Sequence, residues 1–360
     1  MAFEYDSIRV LHLELTSRCN ASCPQCSRNL WGGKVNPRLP MAELRLDHVK
    51  TILTPIVDQL HYVYACGNYG DPIVAHDCIE IMQWLRSKNG NLSLGLHTNG
   101  SARTVDWWKD LGRLMSRPGD HVKWGIDGLV GTNHLYRRNT NWQRIMENAR
   151  GFISAGGRAH WEYIVFRHNE HEVDTARSLS ISMGFEKFTT KRTARFMDPL
   201  TLGPRETQPV MDVNGKVEYH LEQPVAPEWQ NPATTMQAKL VERYGSIDAY
   251  LGSCQIRCKV EEDSSIYISS EGLVFPCCWT ANQLYAPYAG DEIWNIINND
   301  VSSISAAKHG LQAIVNGGVF SKIKAGWDQG LVDGRLRTCA RICGSGIDKY
   351  AKQWKDNNGG

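Results

Sequence analysis

The chain has no apolar run approaching the roughly 20 residues that a membrane-spanning helix needs. It also lacks a dominant charge. Its 40 Lys and Arg stand against 38 Asp and Glu, a formal net charge of +2 over 360 residues. That balance leaves no electrostatic footprint for nucleic acid or for a membrane surface. The first residues, Met-Ala-Phe-Glu-Tyr-Asp, lack the basic and apolar stretches of a secretory signal, so the expected location is cytoplasmic. Internal repeats and low-complexity tracts are absent too.

Cysteine is what the chain has in excess. There are 11, an odd number, and without a secretory signal this argues against a disulfide framework. They cluster: Cys19, Cys23 and Cys26 lie together, Cys66 and Cys78 stand alone, and Cys254, Cys258, Cys277, Cys278, Cys339 and Cys343 fall late in the chain. Clustered thiols in a reducing compartment point to metal or redox chemistry. Cys66 and Cys78 are expected to be buried structural thiols. The 12 tryptophans are expected in the core and in cleft walls.

Residues 8–15, 60–66, 92–97, 122–126, 160–166 and 185–190 read as strands, and 43–56, 77–87, 104–115, 141–154 and 170–183 as helices. Asp77 and Asn169 stand at helix N-cap positions, Gly156 and Gly184 at helix stops. A run of βα units favours a parallel sheet. Periodicity alone leaves an open partial barrel and a doubly wound sheet both possible. From Pro199 onward Pro204, Pro209, Pro224, Pro227 and Pro232 break the alternation. Hairpins are expected over 210–219, turning at Asn214-Gly215, and over 264–275, turning at Glu271-Gly272. The polar tail, 357–360, is expected to fray.

Residues 11–28 read LHLELTSRCNASCPQCSR, a strand running into a Cys-x3-Cys-x2-Cys loop. Three thiolates this close can hold three irons of a cubane and leave the fourth iron open. Zinc takes four ligands, usually as two pairs, and suits a lone triplet poorly. The spacing resembles the radical S-adenosylmethionine (SAM) signature. Thr16 and Asn20 resemble the subgroup that carries C-terminal auxiliary clusters. In that family the open iron takes SAM, and reductive cleavage releases a 5′-deoxyadenosyl radical. The position before the third cysteine is often aromatic there, near the adenine; here it is Gln25.

Further elements follow in the family's order. Gly67-Asn68-Tyr69-Gly70-Asp71-Pro72 resembles its Gly-Gly-Glu-Pro element through Gly70, Asp71 and Pro72. His97-Thr98-Asn99-Gly100 resembles its Thr-Asn-Gly. Gly125-Ile126-Asp127-Gly128 resembles Ser-Ile-Asp-Gly, with Gly125 in place of the serine. His134 and Arg137 resemble a His-x-x-Arg stretch, with Arg138 competing for the role. The resemblance implies SAM contacts from Gly70, Asp71, Pro72, Asn99, Asp127 and Arg137, with Arg137 pairing the SAM carboxylate. Taken singly, Asn99 or Asp127 could simply cap a turn. The resemblance selects an α/β fold: a partial (β/α)6 TIM-like barrel at 1–198, a connecting region at 199–250, and a smaller α+β twitch/SPASM-like auxiliary-cluster domain at 251–360.

The late cysteines resemble the auxiliary-cluster signature of the SPASM and twitch families. With the usual dense terminal run reduced to Cys339 and Cys343, the twitch-like form is expected, one auxiliary [4Fe–4S] cluster on Cys258, Cys277, Cys339 and Cys343. Cys254 could replace Cys258 and Cys278 could replace Cys277 as ligands. Either spare thiol is also a candidate hydrogen-atom donor, the catalytic residue being otherwise unassigned. Four thiolates suit zinc equally well. The implied electron donor is a flavodoxin or ferredoxin. The implied substrate is a peptide or protein side chain or backbone, as for ribosomal-peptide maturases; the alternatives are small-molecule radical oxidation, or a non-catalytic iron–sulfur or zinc scaffold. Lys191, Arg192 and Arg195 after the sixth strand read as a solvated basic edge, or as a surface for an anionic substrate group. With the first strand expected to begin near Ile8, an N-terminal peptide-recognition domain is not expected.

Overall fold

In the computed structural model the described residues are 3–288, 290–346 and the backbone of 354–356. The expected frayed tail lies outside them. Six strands, β1 (Val10–Leu13), β2 (Tyr62–Ala65), β3 (Ser93–Thr98), β4 (His121–Gly125), β5 (Ala159–Ile164) and β6 (Lys187–Lys191), pair in parallel and in chain order. Helices α1 (Leu46–Leu53), α2 (Cys78–Lys88), α3 (Val105–Leu114), α4 (Trp142–Ser154) and α5 (Val173–Met183) connect them. Crossovers between parallel strands are right-handed. When the strand order never reverses, that single hand puts every helix on one face. The order 1-2-3-4-5-6 therefore decides between the two architectures: the sheet is singly wound, an open barrel segment.

The two faces show it. Leu11, Leu13, Val63, Ala65, Leu94, Leu96, Val122, Trp124, Trp161 and Phe188 are buried in one apolar core with the helices. The alternating positions His12, Tyr64, His97, Lys123, Glu162 and Lys191 form the other, concave face; the registers His12↔Tyr64, His97↔Lys123 and Ile164↔Lys191 place them on it. A doubly wound sheet would bury both of these faces under helices.

The second hairpin forms as β9 (Ser265–Ile268) and β10 (Val274–Phe275), turning at Gly272 with φ +75°. It is hydrogen-bonded into the main sheet, β9 lying parallel to β1. Tyr267, Val274, Phe275 and Leu336 join the same continuous core as the barrel. The first hairpin, β7 (Thr207–Met211) and β8 (Val217–Glu222), is a separate two-stranded sheet. β11 (Trp354–Asp356) pairs antiparallel with β6.

Two cap expectations resolve differently. Asp77 precedes α2, yet its carboxylate accepts from the Leu46 backbone N–H at 2.9 Å and from Arg45 Nε at 2.8 Å, so it caps the start of α1. The Asn169 side chain caps no helix: it accepts from Phe166 N at 2.7 Å and donates to the Asp127 carbonyl at 2.8 Å, tying the ends of β5 and β4. Gly184 ends α5 in the left-handed region at φ +87°, as expected.

Candidate active site

The cysteine loop leaves β1 at the C-terminal edge of the parallel sheet, where ligands bind in such architectures. Its three sulfurs spread across the ends of three strands. Asn99, after β3, directs Nδ2 at Cys19 Sγ at 3.7 Å, and the Ala21 backbone N–H reaches the same sulfur at 3.3 Å. Arg137, beyond β4, places Nη1 3.9 Å from Cys23 Sγ. Cys26 Sγ faces the Asn68 carbonyl, past β2, at 3.9 Å. Neutral thiol sulfur is a weak acceptor. N–H groups aimed at Cys19 and Cys23 suit metal-bound thiolates, and this donor set fits a cluster on the three cysteines. Burial pushes the uncoordinated Cys23 thiol up to about 11, so loading metal must displace protons.

The loop is braced from below. Ala21 and Cys23 pack with Tyr136, Phe166, Phe196, Val210 and Leu221 in a satellite core. Gln25, where relatives often carry an aromatic, is buried; it donates to Gln208 Oε1 and accepts from Thr193 Oγ1, both at 3.2 Å. It ties the loop to β7 and offers no stacking face.

The residues expected at the SAM edge do come together, but each also has a protein partner. Asp71 is buried, accepting at Oδ2 from Thr98 Oγ1 (3.1 Å), Asn99 N (2.8 Å) and Asn99 Nδ2 (2.7 Å). Burial pushes its carboxyl up to about 6, against the pull of these donors. Asn99 Nδ2 also reaches Asn20 Oδ1 at 2.9 Å. Pro72 opens a 3-10 turn whose Ile73 N–H is taken by Asp71. Asp127 accepts from Arg137 Nε and from Ile164 N, both at 2.5 Å. The two arginines point apart: Arg138 donates to the Met211 carbonyl at 2.6 Å on the hairpin side, and Arg137 faces the cysteines.

Gly70 was expected to admit a ligand. What approaches it is the chain itself: a Cβ at Gly70 would lie 1.7 Å from the Thr16 carbonyl oxygen. The loop is held there by Glu14, a residue the sequence reading passed over. Glu14 Oε1 accepts from Tyr69 N at 2.8 Å and Gly70 N at 3.1 Å, and its other oxygen takes the Tyr267 hydroxyl of β9. Only its place on a strand, polar and next to the loop, could have flagged it.

Four late cysteines, Cys258, Cys277, Cys339 and Cys343, line one small cavity, as do Trp279, Thr338 and Ile342. Cys254 is apart, buried beside Tyr250 and Ala340 in another cluster, with the Arg335 guanidinium 4.0 Å from its sulfur. Cys278 points elsewhere too; burial, then the neighbouring Cys277, Cys66 and Glu14, push its thiol well up. Among the described residues no three His, Cys, Asp or Glu side chains converge tightly enough to hold a single ion. The four thiols instead surround a space.

Between the two cysteine sets lies an open cleft of about 510 Å³. Cys26 and Asn68 line one end, and Trp279, Thr338 and Ile342 separate it from the cysteine-lined cavity. Arg195 lies on this cleft, whereas Lys191 is on the concave face of β6, where burial lowers its ammonium to about 8. Arg192 is elsewhere, its carbonyl accepting from Asn231 Nδ2 at 2.8 Å. Among the described residues no helix is long and apolar enough to cross a membrane.

No protein-family model matches the sequence, and no curated protein matches it. Solved structures do resemble it. SuiB of Streptococcus suis bound to S-adenosylmethionine aligns over 76% of this chain and 61% of its own, at 10% identity and a TM-score of 0.48. The chain thus spans about three fifths of SuiB. anSMEcpe with bound AdoMet aligns over 75% and 71%, at 17% identity and a TM-score of 0.48. BtrN in complex with AdoMet and 2-DOIA aligns over 92% and 91%, at 11% identity and a TM-score of 0.42. At these values the likeness assigns no chemistry, and the functional reading rests on the residues.

Proposed function

We propose that this chain is a radical SAM enzyme. The observation that carries the reading is the Cys19, Cys23 and Cys26 loop at the C-terminal edge of a singly wound parallel sheet, with N–H donors from other strand ends aimed at two of its sulfurs. Cys19, Cys23 and Cys26 would hold a [4Fe–4S] cluster that, once reduced by a flavodoxin or ferredoxin, would supply the electron for reductive cleavage of SAM.

The chain's own work is placement. Asp71, Asn99, Asp127 and Arg137 fix the strand ends and the loop, and Gly70 and Pro72 set the turn where the SAM amino group would dock. Their partners in the protein support a role in shaping the SAM site as much as in touching SAM. The cleft beside Cys26 receives the substrate, read here as a peptide segment because the late cysteines resemble those of peptide maturases. Cys258, Cys277, Cys339 and Cys343 would hold one auxiliary cluster within residues 251–360, and their common cavity supports that set over one using Cys254 or Cys278.

The test is anaerobic reconstitution with iron and sulfide, then SAM and dithionite, with assay for 5′-deoxyadenosine. Product should form, and replacing Cys19, Cys23 and Cys26 together by Ala should abolish it while leaving the second cluster visible by spectroscopy. Cleavage surviving in the triple variant would overturn the reading. Zinc in place of iron at the late cysteines would remove the auxiliary cluster and leave the rest standing.

A further inference from the structure

The cleft beside Cys26 is charged in one direction. Among the described residues lining it, the charged side chains are Arg195, Arg205, Arg341 and Asp198. Asp198 is ion-paired with Arg205, so a cationic excess of two guanidinium groups faces the space. The whole chain carries only +2, so this is a local concentration and not a reflection of overall charge.

The arginines are also held in place. Arg205 lies over the Trp31 ring at 5.6 Å and Arg341 over the Tyr288 ring at 5.8 Å. Arg341 donates Nη1 to the Pro199 carbonyl at 2.6 Å, while its Nε is buried with no hydrogen-bond partner among the described residues. A buried guanidinium N–H without a partner costs stability unless a ligand completes it. The three come from separate stretches of chain, around 195, 205 and 341, which converge only in the folded protein. Arg341 lies on the helix Arg337–Cys343, between Cys339 and Cys343.

We propose that the substrate carries an oxyanion, a carboxylate or a phosphate, and that Arg195, Arg205 and Arg341 seat it in this cleft. This rests on the radical SAM reading for what happens next, but not for the binding itself. A planar guanidinium fork matches carboxylate and phosphate oxygens in bidentate fashion. About 510 Å³ suits a small molecule or a short peptide segment. Anchoring the charged group against Arg341 would hold the rest of the substrate between Cys26 and the wall of Trp279.

The experiment titrates reconstituted protein, saturated with SAM, with three probes: acetyl-Glu-Glu-amide, acetyl-phosphoserine-amide and the neutral acetyl-Gln-Gln-amide. Binding is followed by calorimetry. At least one anionic probe should bind tenfold or more tightly than the neutral one, and which one does so separates carboxylate from phosphate. Arg205→Gln and Arg341→Gln, made separately, should each lower that affinity about tenfold, with iron content and circular dichroism matching wild type. Arg113→Gln, on the exposed outer helix Val105–Leu114, should leave it unchanged. Equal affinity for all three probes, or unaltered binding by both cleft variants, overturns the proposal. So does anion binding that appears only when SAM is left out of the titration, which would make the arginines part of the SAM site. Anion binding without any 5′-deoxyadenosine from wild type would sink the radical SAM reading and leave the anion site standing.

Discussion

A Cβ built on Gly125 would lie 2.3 Å from Arg137 Nη2, so the guanidinium occupies the space that any side chain at 125 would need. Where the resembling motif has a serine, this arginine lies across the strand, paired with Asp127 and reaching Cys23. Gly125→Ser should therefore act through Arg137. Breaking a buried ion pair costs about 3–5 kcal/mol, and thermal unfolding should show a loss of that order. In an Arg137→Ala background the same substitution should cost much less. Additive losses in this double-mutant cycle would disprove the linkage.

Gly70 predicts a defect in cluster assembly and not only in ligand binding. Any side chain there meets the Thr16 carbonyl, three residues before Cys19, and must push the two loops apart. Reconstituted wild type should hold about eight irons if two cubanes form. Gly70→Ala should lose about half of them, with the late cluster retained. Full iron content together with weak SAM binding would restore the simpler account in which glycine only makes room for SAM.

Glu14 gives a pH dependence with a defined sign. Burial pushes its carboxyl up to about 7 from 4.5, against the donors from Tyr267, Tyr69 and Gly70. The folded protein therefore holds a proton that the unfolded chain has released. The resulting stability is fully present below about 4.5 and is lost as pH rises through about 7. Glu14→Gln keeps an acceptor for both backbone N–H groups and removes this titration. Its stability relative to wild type, from urea unfolding, should improve between pH 5 and pH 8. Glu14→Ala leaves the N–H groups unpaired, at about 1–3 kcal/mol each, and should be destabilised at both pH values.

The late cysteines separate by position. Cys258→Ala should remove the auxiliary cluster, about four irons per chain, because Cys258 lines the shared cavity. Cys254→Ala should leave iron content unchanged, since that thiol is packed among Tyr250, Leu251 and Ala340. Iron loss from both variants alike would mean that the ligand set has been drawn wrongly.

Much of the architecture could be read before any fold was known. The helices Val105–Leu114 and Trp142–Ser154 fall inside their expected ranges because Thr104 and Asn141 cap them through their own side chains, accepting from Trp107 and Arg144. The helix expected at 43–56 is shorter at its start, where Glu43 instead bridges to Thr16 beside the cysteine loop. Local signals fail where a distant segment offers the same side chain a partner. Asp77 and Asn169 both look like caps, but Asp77 is taken by the start of the helix Leu46–Leu53 and Asn169 by the Asp127 carbonyl beyond β4.

What the sequence determined by itself is the set of local devices: the strand–helix period, the Cys-x3-Cys-x2-Cys spacing, and the hairpin turns at Gly215 and Gly272, both with positive φ. Each depends on residues within a few positions of one another. Tertiary structure alone decided that the strand order never reverses, that Arg137 and not Arg138 faces the cysteines, and that Cys258 and not Cys254 shares a cavity with Cys277, Cys339 and Cys343. Likewise it gathered Arg195, Arg205 and Arg341 around one cleft. These are matters of which face a side chain takes and what packs behind it. They are fixed by burial against partners tens or hundreds of residues away, which no local pattern encodes.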